Sequence, residues 1–170
     1  ILRDLGKFQD AELSYRKAIE INPNYAIAHS NLGNILRDLG KLQEAELSLR
    51  KAIELKPDFS DAYYNLGNIL RDLGKLKEAE LSLRKAIEIN PDYANAHLSL
   101  GTILTDLRQI KAALLSFKNA LYFDEDLDEA KGGIGKILLK KGDLRAGISK
   151  LREAYGSISF NYKNPNIIIN

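Results

Sequence analysis

The 170-residue chain contains no cysteine, no methionine and no tryptophan, and only four prolines. Without cysteine there can be no disulfide, no thiolate nucleophile and no cysteine metal site. The longest aliphatic runs, Ile137–Leu139 and Ile167–Ile169, fall far short of the roughly 20 residues of a membrane-spanning helix. One-sided charge is lacking too. Twenty-five basic and 23 acidic side chains leave a formal +2, which makes no general case for a nucleic-acid or membrane-surface binder. Position 1 is isoleucine, so the chain is expected to be a piece of a longer protein, with a cytoplasmic location only the default.

What is present is periodic. Alanines recur every 34 residues at Ala11, Ala45, Ala79 and Ala113, and again at Ala18, Ala52, Ala86, Ala120 and Ala154. Glycines follow at Gly33, Gly67, Gly101 and Gly135, and prolines at Pro23, Pro57 and Pro91. A further series runs Gly6, Gly40, Gly74, is broken by Arg108, and returns at Gly142. Residues 32–58 and 66–92 differ at only three of 27 positions, Gln43/Lys77, Leu55/Ile89 and Lys56/Asn90. Surface positions are copied as faithfully as core positions, as a recent duplication would leave them. A fixed period of this length is the signature of a repeat array.

Each unit predicts two helices. From Ala26, Leu32, Ile35, Leu36 and Leu39 form one apolar stripe, and Leu42, Ala45, Leu49, Ala52 and Ile53 form a second. Gly40 lies between them, suited to a left-handed helix end, and Pro57 stops the second helix. Asn24, Asp58, Asp92 and Asp126 precede the first helices, where a side-chain oxygen is expected to cap free N–H groups. Alanines and the Gly33-type glycines are expected where helix axes approach to about 8 Å.

These residues resemble the tetratricopeptide repeat family. The pattern of a bulky residue, Leu-Gly, a bulky residue, Ala, Leu or aromatic, Ala and Pro appears as His29, Leu32-Gly33, Leu36, Ala45, Leu49, Ala52 and Pro57. It recurs from Tyr63 to Pro91 and from His97 to Ala120, with Glu125 in the place of proline, and decays between Lys131 and Ala154. An RNA-binding pentatricopeptide array would have a different period and lacks this framework. The resemblance implies an all-α solenoid of helix-turn-helix repeats forming a right-handed superhelix. Its expected divisions are 1–25, the end of a truncated repeat; 26–59, 60–93 and 94–127, three repeats; 128–155, a degenerate capping repeat; and 156–170, an extended tail or linker. The tail is apolar and β-prone, and either folds back on the last helix or leads into another domain.

The resemblance also implies that first helices line a concave groove. The positions that would face a ligand are Asn31, Asn34, Arg37 and Asp38 in one unit, Tyr64, Asn65, Asn68, Arg71 and Asp72 in the next, and Leu98, Thr102 and Asp106 in the third. The asparagine pairs form an amide ladder, each side chain carrying a donor and an acceptor that match a peptide backbone. The Asn-Leu-Gly-Asn units are similar to those of the O-linked N-acetylglucosamine transferase superhelix and of bacterial tetratricopeptide proteins, and the former holds substrate backbones with such asparagines. The alternative is that the amides are solvated or bond to the next helix. Arg3/Arg37/Arg71 and Asp4/Asp38/Asp72/Asp106 are expected to pair with each other. The clamp that holds heat-shock chaperone tails is set aside: Asn34 and Asn65 match its asparagines, but Ser30, Asn95 and Ser99 replace its basic members.

No catalytic constellation accompanies the repeats, so neither enzyme activity nor a cofactor is expected. His29 and His97 are two units apart and occupy the bulky packing slot, not a metal site. Lys131–Lys136 imitates a phosphate loop but lacks the Ser/Thr after the lysine. No nucleophile elbow is present. Residues 128–155 hold seven basic and four acidic groups, a local +3, read as a polar cap or as a patch for an acidic partner. The expected function is a scaffold for a protein or peptide partner, with no nucleic acid and no membrane. The alternatives are the substrate-recruiting arm of a larger transferase or oxygenase, or a self-assembly module, although nothing specifically indicates a homo-oligomer.

Overall fold

The computed structural model describes the backbone of residues 2–156, 158–160 and 167–169 and the side chains of residues 6–156. It is an all-α helical-repeat protein in two units, residues 1–91 and 92–170. The first unit comprises α1 (Leu2–Ile21), α2 (Ala26–Asp38), α3 (Leu42–Leu55), α4 (Ser60–Asp72) and α5 (Leu76–Ile89). Here α2 pairs with α3 and α4 with α5 as hairpins, and α1 packs on α2 and α3 on α4. The second unit comprises α6 (Ala94–Asp106), α7 (Ile110–Phe123), α8 (Asp128–Lys140) and α9 (Leu144–Tyr155), two hairpins joined through α7 and α8. Two short strands, β1 (Ile158–Phe160) and β2 (Ile167–Ile169), follow and pair antiparallel, Ile158 opposite Ile169. Whether the tail covers the last helix concerns side chains that lie outside those described.

Small residues set the spacing within each hairpin. Ala45, Ala52, Ala79, Ala86, Ala113 and Ala120 are all 0 % exposed. A Cβ added to Gly33 or Gly67 would lie 2.7 Å from Leu49 or Leu83 Cγ, and one on Gly101 would lie 2.7 Å from the Phe117 ring. Any side chain there would push the two helices apart. The glycine run of 131–136 lies inside α8 and is not a loop. Gly132 makes room for Tyr155, Gly133 for the far edge of Phe117, and Gly135 for Leu151.

The four hairpin turns share one geometry. The N–H of Lys41 reaches back to Leu36 O at 2.8 Å while Gly40 bonds Arg37 O, and the same pair of bonds recurs at Lys75, Gln109 and Asp143. This is a Schellman ending, whose left-handed residue is normally glycine. Gly40, Gly74 and Gly142 have φ of 74°, 76° and 87°, and Arg108 holds the same position at φ 60° without the glycine. Gly6 departs from its series in the other direction. It has no positive φ, and α1 runs straight through it, because good helix formers on both sides outweigh one glycine's cost of about 1 kcal/mol.

The expected side-chain caps are not the ones found. Tyr25, Phe59, Tyr93 and Leu127 occupy the N-cap positions of α2, α4, α6 and α8 and make no side-chain cap bond. Asn24, Asp58, Asp92 and Asp126 sit one residue too early. At two of the four junctions the polar side chain stabilises the turn itself: Asn22 Oδ1 accepts from Asn24 N, and Asp124 Oδ1 from Asp126 N. Among the described residues only Asp143, before α9, caps in the expected way, accepting from Ala146 N at 3.1 Å.

Two outcomes test this packing. Ala79→Leu should lower stability by about 1–3 kcal/mol through overpacking, and an unchanged urea midpoint would refute the placement of that contact. Arg108→Gly should raise stability by about 0.5–1 kcal/mol, the left-handed strain relieved less the entropy that glycine adds to the unfolded chain; a lower midpoint would count against it.

Candidate functional site

In the first unit, α2 and α4 lie side by side, and their repeat-equivalent positions carry the asparagine and Arg/Asp series. Asn31, Asn34 and Asn65 are half-buried, whereas Asn68 is only 5 % exposed. None of the four side chains bonds to another described residue. No buried side-chain polar atom among the described residues lacks a partner, so the amide of Asn68 reaches the surface although most of the residue does not. It is therefore less open than an amide ladder with four equal rungs requires. Tyr64 is half-buried beside them.

The charged series pairs in part. Arg37 Nε donates to Asp72 Oδ2 at 3.1 Å, linking the ends of α2 and α4, and Arg71 approaches Asp72 Oδ1 at 3.4 Å. Asp38 is exposed. Arg3 and Asp4, the first rungs, have side chains outside those described. On α6 of the second unit, Leu98 and Thr102 are half-buried and Asp106 is exposed. The Thr102 hydroxyl donates to Leu98 O at 3.2 Å, so its donor is already spent on its own helix. His29 sits in the bulky slot, its Nε2 2.9 Å from Pro23 O. His97 stacks on Phe123 with ring centres 5.6 Å apart.

A second charge system, not anticipated from the sequence, stitches the second helices together. Glu12 on α1 meets Arg16 at 2.8 Å and Lys41 at 2.7 Å, and Arg16 also reaches Glu44 on α3 at 2.7 Å. One period later Glu46 meets Arg50 and Lys75, both at 2.8 Å, and Arg50 reaches Glu78 on α5 at 2.9 Å. The side chains of Glu12 and Glu46 are only 11 % and 12 % exposed. For Glu46 the largest influence is burial, which pushes the carboxyl up. The hydrogen bonds from Lys75 and Arg50 together outweigh it and hold the group below the ordinary carboxylate value. For Glu12 the bond from Lys41 is the largest influence, and the result is again a lowered carboxyl. The 34-residue recurrence of Glu12/Glu46, Arg16/Arg50, Lys41/Lys75 and Glu44/Glu78 was the available signal. The lattice ends one period later, where Glu80 and Arg84 remain but Gln109 and Ala112 replace the lysine and the second glutamate.

Residues 60–93 match the family model of the tetratricopeptide repeat, and residues 1–36 and 33–70 match that of the TPR repeat. The solved structure of YrrB, described as a TPR protein with an unusual peptide-binding site, is 31 % identical over 82 % of this chain and 74 % of that one, with a TM-score of 0.73. The chain belongs to the tetratricopeptide repeat family. MamA is similar at 26 % identity, with 89 % of each chain covered and a TM-score of 0.81. PilF of Pseudomonas aeruginosa has the same fold, at 20 % identity, a TM-score of 0.81, and 89 % and 71 % of the two chains covered. No curated protein sequence matches the chain. As a tetratricopeptide protein it is a scaffold of the protein-interaction class. Among the described residues no helix is long and apolar enough to cross a membrane, and no group of three or more His, Asp or Glu side chains could hold a metal ion.

Glu46→Gln should cost about 1–2 kcal/mol at neutral pH, as a charged hydrogen-bonded partner is lost. Because the folded carboxyl is held below its unfolded value, its contribution is complete above the unfolded pKa and disappears as pH falls through the folded one. The stability gap between the parent and Glu46→Gln should therefore close below the ordinary carboxylate value of 4.5. Urea unfolding at several pH values tests this, and a gap independent of pH would refute the lattice.

Proposed function

We propose that the chain is a peptide-binding scaffold without chemistry of its own, holding an extended segment of a partner protein against α2 and α4. The observation that carries this is the set of asparagine amides on these helices that bond to no described protein group, beside an Arg37–Asp72 pair that neutralises itself. The free groups on this face are thus donor-acceptor amides, not net charge. An amide matches a peptide unit in both donor and acceptor. Equivalent positions on neighbouring helices stand about 10 Å apart, close to three residues of extended chain. Asn31, Asn34 and Asn65 are the proposed backbone contacts. Asn68 is a minor one, and Tyr64, Arg37, Asp38, Arg71 and Asp72 border them. Leu98, Thr102 and Asp106 are the corresponding positions of α6. The similarity to YrrB, whose description names a peptide-binding site, supports the same reading.

The test is selection of peptides from a displayed random library on the purified chain, then titration against Asn34→Ala/Asn65→Ala. Each lost backbone bond should cost about 0.5–1.5 kcal/mol, so affinity should fall roughly tenfold with the thermal midpoint little changed. Selected peptides that bind the double variant equally well, or a failure to select any, would overturn the proposal.

A further inference from the structure

In the second unit a cleft of about 580 Å³ is lined by the ends of α6 and α8 and the start of α7. Its apolar part is Ile110 and Ile137, and its rim carries Arg108, Lys140, Lys141 and Asp106, all exposed. Three of these rim residues are departures from the repeat. Arg108 stands where the first unit has Gly40 and Gly74, Lys140 where it has Asp38 and Asp72, and Lys141 where it has Leu39 and Leu73.

Two of the departures give up something the framework gains at that position. Arg108 accepts a left-handed backbone, φ 60°, that glycine adopts without strain. Lys140 stands where Asp72 accepts from Arg37, but the residue matching Arg37 is here Thr105, so no ion pair is lost with the aspartate. Lys141 replaces a half-buried leucine with an exposed cation. All three changes add positive charge, and all three fall on one cleft. Among the described residues none of the three makes an ion pair; the pairs of the second unit are Lys131–Asp128 and Lys150–Glu153. Attraction to the helix end does not account for them, because Asp38, Asp72 and Asp106 occupy the equivalent end of three other first helices.

We propose that this cleft docks an acidic peptide segment of a partner protein, with carboxylates on Arg108, Lys140 and Lys141 and an apolar side chain against Ile110 and Ile137. The guanidinium supplies a planar fork that fits a carboxylate in two bonds, and two ammonium groups flank it. A nucleic acid fits less well: no aromatic side chain lines the cleft for base stacking, and three cations are too few to follow a phosphate backbone. This inference does not rest on the asparagine face of α2 and α4, and either can fail without the other.

The probe is a fluorescein-labelled peptide of alternating glutamate and leucine, followed by anisotropy at low ionic strength. Arg108→Gly/Lys140→Ala is compared with Lys118→Ala/Lys136→Ala, which removes the same charge from exposed positions outside the cleft. Glycine is the residue of the other three turns, so the first variant should fold at least as well as the parent, and a thermal melt checks this. The expected result is an affinity about fivefold weaker for the cleft variant and near-parental for the control. Equal loss in both, no loss in either, or no binding by the parent overturns the proposal. Displacement of the peptide by a single-stranded oligonucleotide at lower concentration than by unlabelled peptide would also overturn it.

Discussion

The contact on which each hairpin depends is the one between a glycine on its first helix and a large side chain on its second. Gly33 against Leu49, Gly67 against Leu83, Gly101 against Phe117 and Gly135 against Leu151 leave no space for a Cβ. Close approach lets the fully buried alanines of the second helix meet the first helix directly. The Schellman turn follows, since two helices this close must be joined by a connection of few residues. Where the large side chain grows, the neighbouring repeat yields. Phe117 replaces Leu49 and Leu83, and its ring edge would lie 2.7 Å from a Cβ on Gly133. Gly133 stands where the earlier units have Asn31 and Asn65. Core packing in one hairpin thus decides what the next can display.

This coupling explains which parts of the structure were legible in the sequence. The hairpins, their turns and their core were, because the same small and large residues return at a fixed interval and each return tests the others. The cap residues were not. Asn24, Asp58, Asp92 and Asp126 have the right chemistry for an N-cap, yet the backbone reaches its cap one residue later, at Tyr25, Phe59, Tyr93 and Leu127. Residue type carries capping chemistry, but a one-residue shift depends on how the preceding turn closes, and that is set by tertiary packing. Gly6 makes the same point. Its place in the series marks a turn, but α1 continues through it, since the residue alone does not impose the bend.

The charge pairing beside the candidate site was legible in outline. Arg37 and Asp72 could be matched as opposite charges in successive repeats, and they meet at 3.1 Å. The burial of Asn68 could not be foreseen, because Asn34 occupies the identical repeat position and is more open. The sequence environments of these two residues are nearly the same, so the difference lies in what surrounds each helix. The Glu12 and Glu46 lattices were visible as periodic charge, but charge on a second helix has a solvated face as its ordinary explanation. It takes the distances, and the near-complete burial of the two glutamates, to separate a network from a row of surface ions.

The lattice also bears on why the two units differ in electrostatic character. In the first unit, duplication copied acceptors and donors together: Glu46 brings Arg50, and Lys75 arrives one period after Lys41. Each added repeat therefore neutralises the edge of the one before it. Past Glu80 the copying fails. Leu114 and Ala112 remove the acceptors, while Lys118 keeps a cation. Glu80 itself settles for Arg84 and Lys77 on its own helix. A cation without a partner on the protein keeps its field available to solvent and to ligands, since nothing nearby cancels it. Arg108, Lys140 and Lys141 are such cations, and all three stand where the repeat departs from its framework.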